Sequence, residues 1–157
     1  MPQQFEFSPI GKVHSPVVEP ADDIWAGVKC RIDLDSSRFT PDFLVGLADF
    51  SHVEVVFLFH RVPESEITMG SRHPRNRLDW PKVGIFAQRN KNRPNHIGLT
   101  IAQVIKREGR SLYLRGLDAV DGTPVLDIKP VMVEYLPREP INQPEWSHEL
   151  MNNYWKE

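Results

Sequence analysis

The sequence predicts a mainly β protein, a small closed or nearly closed β-barrel with a few short helices, and three observations carry that expectation. Short segments of alternating apolar and polar residues recur along the 157 residues, turn-forming residues separate them, and 14 prolines spread through the chain argue against long uninterrupted helices. A chain of this length buries roughly two-thirds of the surface it exposes when unfolded, so one core suffices without a metal or disulfide staple. The single cysteine, Cys30, excludes an internal bridge and any Cys-rich zinc site.

Each element has its own signal. Ile10 to Val13 and Val28 to Leu34 alternate as half-buried strands do. Thr40, with Pro41 at the first helical position, opens a helix running through Phe43, Leu44 and Leu47 toward Phe50. Val53 to Phe59 reads as a strand buried on both faces, whereas Pro63 to Lys82 has no periodicity, and loops of that length are commonly functional. Leu99 to Val104 alternates again, and Glu108-Gly109-Arg110-Ser111 forms a hairpin into Leu112-Tyr113-Leu114. Asp121-Gly122-Thr123-Pro124 turns into Val125 to Ile128, and Val131 to Tyr135 is the last strand. After Gln143-Pro144 a second helix places Trp146, Leu150, Met151 and Tyr154 on one face. Residues 1–138 are thus assigned to the barrel and 139–157 to a helical tail.

The net charge of -2 hides a strong segregation. Residues 72–93 hold seven basic side chains against Asp79 alone, a balance of +6, and the remaining residues hold twelve basic and twenty acidic ones, a balance of -8. Such a segment puts a positive field on an acidic body and suits a polyanionic partner, with a solvated loop as the plain alternative. Arg72, Arg75, Arg77, Lys82 and Lys91 are the candidate RNA contacts. Trp80 and Phe86 lie among them, where aromatics suit base stacking, although Gly84-Ile85-Phe86-Ala87 is expected to turn Phe86 toward the core.

Several classes drop out. No run approaches the ~18 apolar residues of a membrane span, and Met1-Pro2-Gln3-Gln4 lacks the parts of a signal peptide, so the cytoplasm is the expected location. There is no Gly-x-Gly-x-x-Gly, no phosphate loop and no His-Glu-x-x-His, and the six histidines show no metal-ligand spacing, so no metal is expected.

Two dense segments remain. One is Phe86-Ala87-Gln88-Arg89-Asn90-Lys91-Asn92-Arg93-Pro94-Asn95-His96-Ile97-Gly98-Leu99-Thr100, and the other is Leu117-Asp118-Ala119-Val120-Asp121-Gly122-Thr123-Pro124-Val125-Leu126-Asp127-Ile128-Lys129-Pro130. They resemble the signature segments of the TsaA-like, or TrmO, family, F-A-T-R-S-x-x-R-P-N-P-I-G-L-S and L-D-x-x-D-G-T-P-x-L-D-I-K-P-Y. The likeness extends to Pro9-Ile10-Gly11-Lys12-Val13-His14-Ser15-Pro16 and Gly46-Leu47-Ala48-Asp49-Phe50-Ser51-His52, and so covers residues 9 to about 136 in order. Gln88, Asn90, His96 and Val131 depart from the family's Thr, Ser, Pro and Tyr. His96 in particular restores a backbone N–H and a free φ where proline has neither.

The resemblance implies a β-barrel, typically a homodimer, that binds S-adenosylmethionine and methylates N6 of threonylcarbamoyladenosine beside the anticodon of tRNA. By motif position the donor would lie against Arg89, Arg93, Pro94, Asn95, Ile97, Gly98, Leu117, Asp118, Thr123, Leu126, Asp127 and Lys129, with Phe59, His60 and Arg61 at the end of the buried strand. A carbamoylated N6 is weakly nucleophilic, so a base would help, and Asp118, Asp121 or His60 could serve. Each residue also has a structural use: Asp121-Gly122 can make the turn, Asp127 and Lys129 can pair along a strand face, and Asn95 can tie the loop. Two other readings stay open, the same barrel acting on a different acceptor and a non-catalytic donor- or RNA-binding module.

Overall fold

The computed structural model describes residues 1–157 and contains six strands closed into an antiparallel barrel. Strands β1 (Gly11–His14), β2 (Lys29–Leu34) and β3 (His52–Leu58) come first. A two-strand ribbon, β4 (Ser71–Arg72) with β5 (Val83–Gly84), stands outside the barrel. Strands β6 (Ile97–Glu108), β7 (Ser111–Arg115) and β8 (Pro124–Pro130) follow, and a single helix, α1 (Glu145–Met151), ends the chain. Around the barrel the order is β1, β2, β7, β6, β3, β8, and β8 returns to β1.

Alternation fills the inside. Val13, Ile32, Leu34, Val53, Val55, Phe57, Ala102, Leu112, Leu114 and Val125 point inward from six different strands and are buried together with Leu117 and Ala119. Cys30 belongs to the same core, and burial pushes its thiol up to about 12. At residue 98 the pleat brings β6 against the Phe57 ring so closely that a Cβ there would sit 2.5 Å from a ring carbon, a spacing only glycine permits. No helix is long and apolar enough to cross a membrane.

The longest strand organises the site. Residues Ile97 to Gln103 of β6 pair with β3 in the register Leu58↔Ile97 through His52↔Gln103, while Gln103 to Glu108 pair with β7 from Arg115 to Ser111. The second half is closed by the two-residue turn Gly109-Arg110. Beyond Arg115 the chain turns at Gly116 (φ 80°), whose N–H donates to Val28 O, and the first half of β6 loses β7 as a ladder partner on that side.

Five expectations need correction. Val53 to Phe59 is not buried on both faces, because only Val53, Val55 and Phe57 face the core while Glu54, Val56 and Leu58 face outward. Residues 41–50 form two separate 3-10 turns, Pro41–Leu44 and Leu47–Asp49, because Gly46 between them is left-handed (φ 84°) and Thr40 makes no side-chain cap. Val131 to Tyr135 is not a strand: the sheet ends at Pro130, and Val133–Tyr135 is a single turn. Phe86 is exposed rather than turned to the core. Trp80, by contrast, is buried, so it offers no free face for a base.

Candidate active site

The first half of β6 presents an open edge, and three motif residues, Thr100, Asp118 and Arg89, meet on it. The register that pairs Gln103 with Arg115 carries on to set Thr100 opposite Asp118, and the Thr100 hydroxyl donates to Asp118 Oδ1. The Tyr154 hydroxyl donates to Asp118 Oδ2, so each carboxylate oxygen accepts from one hydroxyl. Burial, reinforced by the charge of Asp118 and by this bond, holds the Tyr154 phenol well above its usual range against the nearby Arg89 and Arg75, so the phenol is the donor at neutral pH.

Arg89 reaches the same edge, where its Nη2 donates to Leu99 O. Arg93 donates from Nη1 to Gln88 O at 2.7 Å. Neither arginine sits in an ion pair, in contrast to Arg61 with Glu19, Arg75 with Asp23, Arg77 with Asp79 and Arg115 with Glu157. A guanidinium has five N–H donors, and each of these two spends one on a main-chain carbonyl, so both retain donors and an uncompensated charge for an anion.

Between Arg93 and β6 the backbone is strained. Asn95 (φ 64°) and His96 (φ 54°) are consecutive left-handed residues, each in a region that costs about 1–3 kcal/mol and persists only where neighbours fix it. Here His96 N–H donates to Arg93 O at 3.2 Å, His96 O accepts from Phe59 N at 2.8 Å, and His96 Nε2 lies 2.9 Å from Glu64 Oε1. Proline could neither make the first bond nor reach this φ, so the departure at residue 96 sets the path of the loop.

A second group lies where β3 ends. A Cβ at Gly122 would sit 3.9 Å from His60 Nε2, and burial with the charge of Arg61 holds the His60 imidazole below its ordinary value against a raising contact with the Leu58 backbone. Arg61 is committed to Glu19 and to Val18 O. Asp121 Oδ1 accepts from Ser15 N at 3.0 Å, and the buried Thr123 hydroxyl closes the turn on Val120 O at 2.8 Å. Leu117 is wholly buried in the core and Pro94 opens the strained turn. On the outer wall, Lys129 Nζ lies 2.7 Å from Asp127 Oδ2, and Leu126 sits at the register shift between Val56 and Phe57. Ile97, Leu99 and Ile101 face outward beside Leu58, Val56 and Glu54, forming an apolar stripe next to that pair.

The basic segment is partly neutralised within the fold. Arg75 binds Asp23 at 2.9 Å with both side chains three-quarters buried, and Arg77 pairs with Asp79 while lying over the Trp80 ring at 4.0 Å. Arg72, Lys82 and Lys91 are in no ion pair, and Arg72 donates to Asn76 Oδ1 at 2.9 Å. Trp80 Nε1 donates to Glu149 Oε2 at 2.8 Å, which ties the segment to α1.

Sequence reasoning missed two participants. Thr100 stands in the first motif, and the β6–β7 register would have exposed it. Tyr154 carries no motif signal: the periodicity placed it on the apolar face of the tail helix, but the helix ends at Met151 and the following turn redirects it to Asp118.

A family model described as the tRNA-methyltransferase O N-terminal domain matches residues 19–136. The chain is 42% identical over 110 residues to the human tRNA (adenine(37)-N6)-methyltransferase, covering 70% of this chain and 24% of that one. It is 36% identical over 143 residues to a Pyrococcus abyssi protein named "Probable S-adenosyl-L-methionine-binding protein", covering 88% of this chain and 74% of that one. The crystal structure of a TrmO from P. aeruginosa superposes with a TM-score of 0.75 at 28% identity, covering 93% of this chain and 63% of that one. The chain thus spans about a quarter of the length of its human relative.

Proposed function

The chain belongs to the family of the tRNA-methyltransferase O N-terminal domain, and from that premise we propose that it is an S-adenosylmethionine-dependent methyltransferase acting on N6 of threonylcarbamoyladenosine next to the anticodon of tRNA. One observation carries the reading: the unpaired motif arginine Arg89 is anchored on Leu99 O, next in the chain to Thr100, whose hydroxyl together with that of Tyr154 holds the Asp118 carboxylate, and a second unpaired arginine, Arg93, lies four residues beyond Arg89. The residues present fit the donor, since its carboxylate suits an uncompensated guanidinium and its adenosine suits the irregular loop at Asn95 and His96 beside the exposed side chain of Ile97.

When bound, the donor supplies an electrophilic methyl group on a sulfonium. The protein's part is to align N6 behind that methyl and to take the proton N6 gives up. Positioning supplies much of the rate, because it converts an encounter into an oriented contact. Asp118 is the base these contacts favour over Asp121 and His60: its carboxylate is fixed at both oxygens and keeps further lone pairs, whereas Asp121 is exposed at a turn and His60 stands beside Gly122 just past the end of β3. Proton transfer from N6 to Asp118 leaves neutral methylated product and a protonated acid that solvent discharges.

The outward stripe of Ile97, Leu99 and Ile101, continued by Val56 and Leu58, supports a homodimer built on this wall, with the donor site at its margin. The polyanionic acceptor would approach along Arg72, Lys82 and Lys91, and the cytoplasm is the compartment this reading implies. His96 in place of the family's proline favours a second reading, the same chemistry on a different acceptor, because it redirects the loop beside the donor.

The test is transfer of labelled methyl from S-adenosylmethionine to tRNA that carries or lacks threonylcarbamoyladenosine. Incorporation only into the modified tRNA is expected. Asp118→Asn should lower turnover by about a hundredfold or more, and Arg93→Ala should weaken donor binding in calorimetry by about tenfold. Donor binding with no transfer to any tRNA would refute the assignment of acceptor.

A further inference from the structure

We infer that the C-terminal segment is a working part of the site, with Tyr154 as the positioning residue that, together with Thr100, fixes the Asp118 carboxylate. This rests on the reading of Asp118 as the base. The geometry gives the reason: one hydroxyl on each carboxylate oxygen restrains rotation about the side-chain bond and directs the remaining lone pairs one way, which neither bond does alone.

Two main-chain anchors hold Tyr154 in place. Trp25 N–H donates to Tyr154 O at 2.8 Å and Ile24 N–H to Asn153 O at 3.1 Å, so the tail is clamped by main chain on both sides of the phenol's attachment. Away from the phenol, Glu149 accepts from the buried Trp80 indole and Glu157 pairs with Arg115, contacts that fasten the tail without touching Tyr154 or Asp118. The clamp is strained, since Ile24 is a β-branched residue at φ 69°, a conformation retained only where the surroundings demand it. The charged groups facing this cluster are Arg89 and Arg75, and Asp23 balances the latter. A tail serving only as a surface strap would need neither a hydroxyl on a motif carboxylate nor a strained main-chain clamp.

Tyr154→Phe in the full chain separates the two roles, because it keeps the ring and removes the hydroxyl. Loss of a hydrogen bond to a charged group predicts a kcat about tenfold lower, with KM for donor and tRNA within twofold. Glu149→Ala loosens the tail elsewhere and should lower the melting temperature while leaving kcat within twofold. The contact has a readout independent of turnover: of the three tyrosines, one should form tyrosinate only at unusually high pH, and Asp118→Asn should bring that titration down. A Tyr154→Phe variant with parental kcat, beside an inactive Asp118→Asn, overturns this inference and leaves the base assignment standing. Equal losses of kcat and melting temperature in Tyr154→Phe and Glu149→Ala reduce the tail to a staple and overturn it as well. An active Asp118→Asn removes the base assignment and, with it, the role given to Tyr154.

Discussion

Gly98 lies in the donor motif, yet the packing assigns it a different task, and Gly98→Ala tests which task matters. The added Cβ would sit 2.5, 2.6 and 3.0 Å from three carbons of the Phe57 ring, against an optimal carbon separation of about 3.5–4.0 Å. Phe57 is buried, is the register partner of Gly98 and lies edge-on to Phe59 at 5.4 Å between centroids, so the ring has little room to retreat. Overpacking of this kind costs about 1–3 kcal/mol, and for a chain of this size 2 kcal/mol corresponds to roughly 4–8 °C in melting temperature. Urea denaturation of four proteins measures it: parent, Gly98→Ala, Phe57→Leu and the double variant. Leucine leaves space for the methyl, so the double variant should be more stable than the summed single effects by about 1 kcal/mol or more, and donor affinity should recover with stability. Strict additivity, or a Gly98→Ala protein within about 0.5 kcal/mol of the parent, would refute the packing argument. Recovered stability with affinity still lost would return Gly98 to the donor contacts.

Two further outcomes follow from charge. Replacing Arg72, Lys82 and Lys91 by Ala should weaken tRNA binding and reduce the slope of log affinity against log salt by about 2, whereas Arg77→Ala, whose charge Asp79 already balances, should change it by less than about 1; an unchanged slope in the triple variant removes this segment as the RNA contact. Asp33 is raised by burial, but hydrogen bonds from Ser111 and Arg31 and the charges of Arg31 and His14 outweigh that and hold it below its ordinary value. A depressed folded-state value means stability that is present above the unfolded value, near 4, and is lost as pH falls through the folded one, so the deficit of Asp33→Asn at pH 7 should shrink on acidification, and a deficit constant across that range would contradict the assignment.

Much of the fold was legible because alternation is a local signal. The strands at 11–14 and 29–34, the middle of β6 from Leu99 to Val104 and the turn at Gly109-Arg110 follow from period two and from turn-forming residues. Two of the errors share one physical origin, apolar residues that do not face the core. Val56 and Leu58 made β3 look doubly buried because they belong to an apolar outer wall with Ile97 and Leu99, and Phe86 is an exposed aromatic of the same deceptive kind. The helix expected over 41–50 failed at Gly46, where a left-handed residue divides a pattern that spacing alone continues. At the site, the motifs singled out Arg89, Arg93 and Asp118, of which Arg89 and Asp118 have contacts at the open edge of β6 while Arg93 bonds Gln88 O in the preceding loop. The partner that holds Asp118 from the far end of the chain could not be read, since the bond joins residues 118 and 154 through a turn that helical periodicity does not describe.

The barrel's closure is unevenly secured. Strands β3 and β6 share seven register pairs, but β1 and β8, which complete the ring, share two, Gly11↔Val125 and Lys12↔Pro124. Main-chain bonds from Ile10 N–H to Val125 O, from Val13 N–H to Thr123 O and from Gly122 N–H to Val13 O extend the seam, but joining positions so far apart in sequence costs loop entropy, so the seam should form later in folding than the local β6–β7 hairpin. Amide hydrogens along β1 should therefore exchange ahead of those in the centre of β3. The Asp121 side chain, which accepts from Ser15 N just above the seam, ties the same junction, so a residue drawn from the donor motif also helps to close the ring.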